Sequence, residues 1–552
     1  MISFEHKSET MKTKWMAGLL LLCSSLLSAQ QIADGVYWVY FRDKAGNGYS
    51  IDQPDAFLSQ RSLQRRAWQG LSVDERDLPV TATYLQEVRA LGAEIKHVSK
   101  WLNGIAFIQA DSSLFIEVMA LPFTDTSAWI PQSNQQYFPT VATSQRFEPP
   151  RSIPPGFNYG PAVEQAAMLG TDHLHELGYT ANGVWIAVLD AGFSQVDSLP
   201  SFENMISEGR LLGSRNFVNP IPVMREPSSH GMNVLSTMAG NWEGNLVGTA
   251  PDASYFLCMT ENPAGETRIE EIAWIEAAEY VDSMGFDVLN TSLGYSDFEG
   301  VAYDYTYADM DGKSTLISRA ASLAASRGMI ACNSAGNQGN DPWFYITAPA
   351  DATDILTVGA VGSDRTITGF SSRGPSYDER IKPDVVAQGA SCVVQSLNGG
   401  LGLAGGTSFS SPILAGSVAS LWQAYPEMSA SEMIDRVRES GDRRLRPDTT
   451  YGYGVPDVAR AYWSITRVPA GIGPGRLEFY PNPASSWIMI RLPGVANPMQ
   501  DLRIYDMSGR MVMNKQVDLS AEIRLSSALQ PGVYILEVDT ETSIYRGRFI
   551  KE

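Results

Sequence analysis

Three short blocks of the sequence hold side chains suited to acyl-transfer chemistry. Asp190 closes the apolar run Val184-Trp185-Ile186-Ala187-Val188-Leu189 and is followed by Ala191-Gly192-Phe193. His230 stands in Ser229-His230-Gly231-Met232-Asn233-Val234, and Ser408 in Gly405-Gly406-Thr407-Ser408-Phe409-Ser410-Ser411-Pro412. A serine that attacks a carbonyl needs a base to take its proton, an acid to orient that base, and donors for the oxyanion. Each residue taken alone also has a plain reading: a loop-closing Asp, a helix-starting His, a helix-capping Ser. The other histidines are His6, His97, His173 and His175. The last two lie two positions apart on a predicted helix and so do not share a face for a metal.

The elements that must carry these blocks follow one pattern. From about Tyr159 to Trp463, short β-branched runs alternate with Ala-rich helical stretches; Val184 to Leu189, Val288-Leu289-Asn290 and Met329 to Ala331 are examples. Alternation of this kind predicts parallel strands joined by crossover helices, with ligands bound beyond the strand carboxyl ends. Asp190 falls at such an end. Gly405 and Gly406 allow a tight turn that presents Ser408 at a helix N-terminus, where the backbone dipole favours developing negative charge.

The three blocks, in the order Asp, His, Ser, resemble the signature blocks of the subtilase family. Asn290-Thr291-Ser292-Leu293-Gly294 is similar to that family's substrate-binding strand, and Ser334-Ala335-Gly336-Asn337-Gln338-Gly339 to its oxyanion block. Phe370-Ser371-Ser372-Arg373-Gly374-Pro375 and Lys382-Pro383-Asp384-Val385 extend the likeness over roughly residues 159 to 463. The resemblance implies an α/β, subtilisin-like catalytic domain with a mostly parallel sheet flanked by helices, acting as an endopeptidase on protein or peptide substrates. It makes Ser408 the nucleophile, His230 the general base and then acid, and Asp190 its orienter. Asn337 and the Ser408 amide become oxyanion donors, and Ser292, Leu293, Gly294, Ala335 and Gly336 line the substrate. Three positions depart from the common pattern: Ala191 replaces a hydroxyl residue, Met232-Asn233 stands where Thr-His is frequent, and Phe409 replaces Met.

A chain of 552 residues predicts several domains. Lys12 and Lys14, the Leu-rich run to Leu27 and Ser28-Ala29 have the layout of a secretory signal over residues 1–29, with Met11 an alternative start. Residues 30–140 alternate strand-like and helix-like runs, predicting a small α+β domain that resembles, more weakly, a subtilase prosegment; the resemblance implies a zymogen inhibited by its own prosegment. Residues 141–158 form a Pro-rich linker and processing region, with cleavage expected between about Phe147 and Tyr159. The peptidase domain follows at 159–465, a Gly/Pro linker at 466–475, and a small β-sandwich at 476–552. Phe479-Tyr480-Pro481-Asn482-Pro483, Ile504-Tyr505-Asp506-Met507-Ser508-Gly509-Arg510 and Pro531-Gly532-Val533-Tyr534 in that tail resemble a type IX secretion sorting domain. That implies a partnership with the type IX machinery and export through periplasm and outer membrane to the medium or the cell surface.

Composition narrows the rest. Net charge is −20, from 61 acidic and 41 basic residues, which repels phosphate backbones and argues against nucleic acid as a partner. No run is long and apolar enough for a transmembrane segment. Cys258, Cys332 and Cys392 remain after signal removal; a dense disulfide framework is excluded, at most one bridge can form, and three buried free thiols are expected. Arg61, Arg65 and Arg66 have the spacing of a solvated helix face. Catalysis of the implied kind requires no cofactor. Asp309 and Asp311, in Asp309-Met310-Asp311-Gly312, offer closely spaced oxygens for a structural calcium ion but lack a full ligand ladder, and an Asp-Gly turn explains them equally. Two rival readings are an inactive subtilase-fold binding protein and a surface adhesin whose tail is the functional module.

Overall fold

The computed structural model describes residues 35–109, 112–130, 157–262, 265, 267–298 and 304–465, and in the tail 478–491, 499–506, 511–519, 521–525, 529–539 and 544–551. The expected signal, most of the Pro-rich linker and the Gly/Pro linker lie outside the described residues. Residues 1–459 and 460–552 are two compact units.

At the start of the first unit, β1 (Gly35–Phe41), β2 (Glu94–Ser99), β3 (Gly104–Gln109) and β4 (Thr124–Ile130) form an antiparallel sheet of order β2-β3-β1-β4. Helices α1 (Gln60–Trp68), α2 (Ala82–Ala90) and α3 (Ser112–Met119) complete this α+β domain. Its apolar side chains divide between two faces. Tyr37, Val39, Ile105 and Phe107 join Val88 and Val118 in a local core. Trp38 and Ala106, which point the opposite way along the strands, join Trp101 in the core of the following domain.

That domain is built on seven parallel strands: β5 (Trp185–Asp190), β6 (Leu211–Asn216), β7 (Ser254–Met259), β8 (Val288–Thr291), β9 (Ile330–Ser334), β10 (Leu356–Val361) and β11 (Val385–Gln388). Their order is β11-β10-β9-β8-β5-β7-β6. Every residue of β8, β9 and β10 is buried, as interior strands of a sheet covered on both faces require, and the edge strand β11 is buried throughout as well. Flanking it are α4 (His230–Ala239), α5 (Ile269–Met284), α6 (Leu316–Ser326) and α7 (Thr407–Ala424). Helix α7 is buried at every position from Thr407 to Trp422, which makes it a core helix with no solvent face along that length. Cys258, Cys332 and Cys392 are buried and unpaired, and burial pushes each thiol well above its ordinary pKa.

The second unit holds a three-stranded and a four-stranded antiparallel arrangement sharing one core, in which Ile488 and Ile490 meet Leu502, Ile504, Leu536, Val538 and Phe549. The alternation read in the tail is thus a sheet-on-sheet pattern.

One expectation is overturned. Arg65 and Arg66 do not face solvent: their side chains are 2% and 1% exposed, against Asp282 of α5 at 0%. Helical spacing shows which residues share a face, but not what covers it. Arg61 remains partly exposed beside Asp287.

Candidate active site

Asp190 is the last residue of β5 and is fully buried at the carboxyl end of the sheet. Its Oδ1 accepts the Ala191 amide at 2.7 Å and lies 2.6 Å from His230 Nδ1. The ionised carboxylate can only accept, so Nδ1 carries the proton and Nε2 is left with a free lone pair. His230 opens α4, and the next residue explains the close approach: a Cβ on Gly231 would stand 2.9 Å from Asp190 Cβ and 2.7 Å from the Gly192 carbonyl. The His230 side chain is about a third exposed, at 36%. Burial works against its charged form, but the Asp190 charge and hydrogen bond outweigh that and raise the imidazole pKa above its ordinary value.

Ser408 is the second residue of α7, which starts at Thr407 directly after Gly406, whose φ of 146° suits glycine. Pro412 lies four residues on and has no N–H, so the Ser408 carbonyl lacks its intrahelical donor. Ser292 Oγ donates to that carbonyl at 2.8 Å, and Ser408 Oγ in turn points to the Ser292 carbonyl at 3.4 Å. A buried chain continues from there: Asn290 Nδ2 donates to Ser292 Oγ at 3.2 Å and Ser411 Oγ to Asn290 Oδ1 at 2.9 Å. Ser410 Oγ donates to the Thr407 carbonyl at 3.0 Å. Both neighbouring serines are therefore engaged inside the fold. The His230 ring lies 6.1 Å from the ring of Phe409, the residue after Ser408. Thus Asp190 and His230 are in direct contact and His230 borders the start of α7, while Ser408 Oγ rests on Ser292.

Asn337 follows β9 in a loop and is itself exposed, between the buried Ala335-Gly336 and Gly339. Its Oδ1 accepts the Thr407 amide at 2.8 Å and the Thr407 hydroxyl at 3.0 Å, which fixes the amide orientation and leaves Nδ2 on the other side. The Ser408 amide is among the first-turn N–H groups that no intrahelical carbonyl takes up. Two segments flank this corner. Ser292-Leu293-Gly294 follows β8 and Ala335-Gly336 follows β9, tied by Ser334 Oγ donating to the Leu293 carbonyl at 3.2 Å. Both glycines press on one side chain: a Cβ would come within 2.1 Å of Thr347 Oγ1 at Gly294 and within 2.9 Å at Gly336. Thr347 and Asn290 were not foreseen as site residues; no motif marks Thr347, and only its contacts reveal it.

Asp309 and Asp311 serve their own loop. Asp309 Oδ2 accepts the Thr306 amide and hydroxyl, each at 2.8 Å, and Asp311 Oδ1 accepts the Lys313 and Ser314 amides at 2.8 and 2.7 Å. Among the described residues, no group of three or more His, Cys, Asp or Glu side chains is placed to hold a metal.

Residues 181–454 match the family model described as the subtilase family, peptidase S8. The chain's central domain belongs to the subtilase family. The subtilase domain is flanked by two further matches: residues 36–145 to a peptidase S8 propeptide domain of Bacteroidota, and residues 478–552 to a secretion system C-terminal sorting domain. That tail marks the subtilase for type IX secretion to the medium or the cell surface. Among curated proteins, the chain is 27% identical to subtilisin-like protease SBT6.1 of Arabidopsis thaliana, over 61% of this chain and 31% of that protein. It is 28% identical to the membrane-bound transcription factor site-1 protease of Mus musculus, over 57% and 28%, and 29% identical to subtilisin E of Bacillus subtilis, over 52% and 68%. The matched segments thus span only about three-tenths of the plant and mouse relatives. Among the described residues of this subtilase, no helix is long and apolar enough to cross a membrane.

Proposed function

We propose that the chain is the zymogen of a secreted serine endopeptidase that cleaves proteins or peptides through an acyl-enzyme, with Asp190, His230 and Ser408 as its triad. The 2.6 Å contact between His230 Nδ1 and a fully buried Asp190, at the sheet edge that α7 approaches, is the observation that carries this reading. A rotation about the Ser408 Cα–Cβ bond takes Oγ from Ser292 toward Nε2. His230 then accepts the hydroxyl proton as Oγ attacks the scissile carbonyl, and Asp190 stabilises the resulting imidazolium. Negative charge on the carbonyl oxygen is met by Asn337 Nδ2 and the Ser408 amide, aided by the N-terminus of α7. His230 returns the proton to the leaving amine, and water attacks the acyl-enzyme by the same route. The steps draw on side chains, backbone amides and water alone. Ser292 to Gly294 and Ala335-Gly336 hold the substrate backbone on either side.

Processing is proposed in the linker ahead of Phe157, because Phe157 and Tyr159 already pack with Ala166 and Val247. The test is a serine-reactive fluorophosphonate applied to the processed protein and to Ser408→Ala. Labelling and casein cleavage in the first and neither in the second is expected, with unchanged circular dichroism. Absent labelling of the processed protein would favour the inactive scaffold or the adhesin instead.

A further inference from the structure

The buried arginines of α1 have no part in the chemistry proposed above, and they lie where the propeptide domain meets α5. Arg65 Nη2 contacts Asp282 Oδ1 at 2.5 Å, Arg66 Nη2 contacts Asp282 Oδ2 at 2.8 Å, and Lys100 Nζ stands 3.5 Å from the same carboxylate. Arg66 also reaches Asp77 of its own domain at 3.1 Å, and Arg65 donates to the Phe286 carbonyl. Around this centre, Arg327 of the subtilase domain contacts Asp74 at 2.9 Å and Asp77 at 3.3 Å. Glu279 accepts the amides of Lys100 and Trp101 at 2.8 and 3.0 Å, and Gln69 donates to the Gly328 carbonyl at 2.8 Å. The backbones themselves touch: a Cβ on Gly285 would lie 2.5 Å from the Ser62 amide nitrogen.

We propose that Asp282 is the anchor of a buried ionic lock that keeps the propeptide domain, residues 35–130, bound to the subtilase domain after the linker is cut. One carboxylate is shared by two guanidinium groups and approached by an ammonium, all three cations coming from the propeptide domain. Water is excluded from the pair: neither partner of the Arg65–Asp282 contact exceeds 2% exposure. Separation must therefore rehydrate all of these charges together and uncover Trp38 and Trp101. A cut in the linker changes none of these contacts. Release then requires destruction of the bound domain or removal of a charge from the lock, because one member lost leaves the others buried without compensation.

The lock rests on these contacts and not on the peptidase reading, so its test uses the full chain carrying Ser408→Ala. A recognition sequence for a site-specific protease is placed between residues 131 and 156, the chain is cut, and the fragments are followed by gel filtration and by dissociation rate on dilution. The cut protein is expected to elute as one complex. Asp282→Asn should speed dissociation roughly 100-fold or more, whereas Lys96→Ala, which removes an exposed pair with Glu94 inside the propeptide domain, should change it little. Separation of the cut Ser408→Ala fragments at micromolar concentration overturns the proposal, as does equal weakening by Asp282→Asn and Lys96→Ala. If Asp282→Asn does not fold, Arg65→Gln tests the same contact from the propeptide side, and dissociation no faster than that of the cut Ser408→Ala protein overturns the proposal. A fluorophosphonate failure on the processed protein would leave this result untouched.

Discussion

A triad histidine serves as base only while neutral, so in the function proposed here the pKa of His230 sets the acid limb of activity. The Asp190 carboxylate raises that pKa above the ordinary 6.5. Activity should consequently be lost as pH falls through a value higher than 6.5 and be regained as it rises. Asp190→Asn removes the opposing charge and the enforced tautomer together; kcat should drop by about 10⁴-fold, and the remaining acid limb should move to lower pH. A pH profile of kcat/KM for both proteins checks this, and an unmoved limb would remove Asp190 from its orienting role. At this scale the motifs point to Asp190, His230, Ser408 and Asn337, and each lies at or just after a strand end or a helix start. The sequence was silent on Thr347, and on the bonds that tie Asn290 to Ser292 and Ser411, because these follow from tertiary contacts between segments far apart in the chain. Arg65 was misread for the same reason, since Asp282 is 217 residues away.

Among elements, α7 carries Ser408, the proposed nucleophile, at the start of a buried helix, and its packing leaves little room. A Cβ on Gly416 would sit 2.1 Å from Thr249 Oγ1 and 3.1 Å from the Thr249 carbonyl carbon. Helix propensity favours Gly416→Ala by about 0.5–1 kcal/mol, whereas overpacking a closed core costs about 1–3 kcal/mol. The clash should win because Thr249 is itself almost fully buried. Denaturant unfolding should show a net loss of stability for Gly416→Ala, and a gain would mean that α7 can shift. Three of the seven strands of the sheet were read from β-branched runs, with ends moved by up to three residues. Which helix is wholly buried was less readable, because small residues such as Ser417 and Ser420 look polar in sequence but bond to the Ile413 and Thr249 carbonyls.

At the scale of the whole chain, three matched regions divide the labour: an N-terminal domain fused by packing to the subtilase, the subtilase itself, and a separate β-rich unit with its own core. Since Arg460–Glu552 clusters apart from the rest, deleting residues 476–552 should leave folding of the subtilase intact while abolishing export. Fluorophosphonate labelling of envelope and medium fractions measures both effects; normal appearance of the truncated protein in the medium would show that the tail is not the sorting signal. The three thiols have a further consequence for a chain that crosses an oxidising compartment. Cys258 and Cys332 sit on β7 and β9, and Cys392 begins a separate hairpin, all at 0% exposure. Burial also holds them protonated, so neither oxidants nor stray disulfides can engage them once the sheet has closed. Sulfur chemistry is thereby confined to the interval before folding, and the speed of sheet closure becomes the chain's protection against crosslinking.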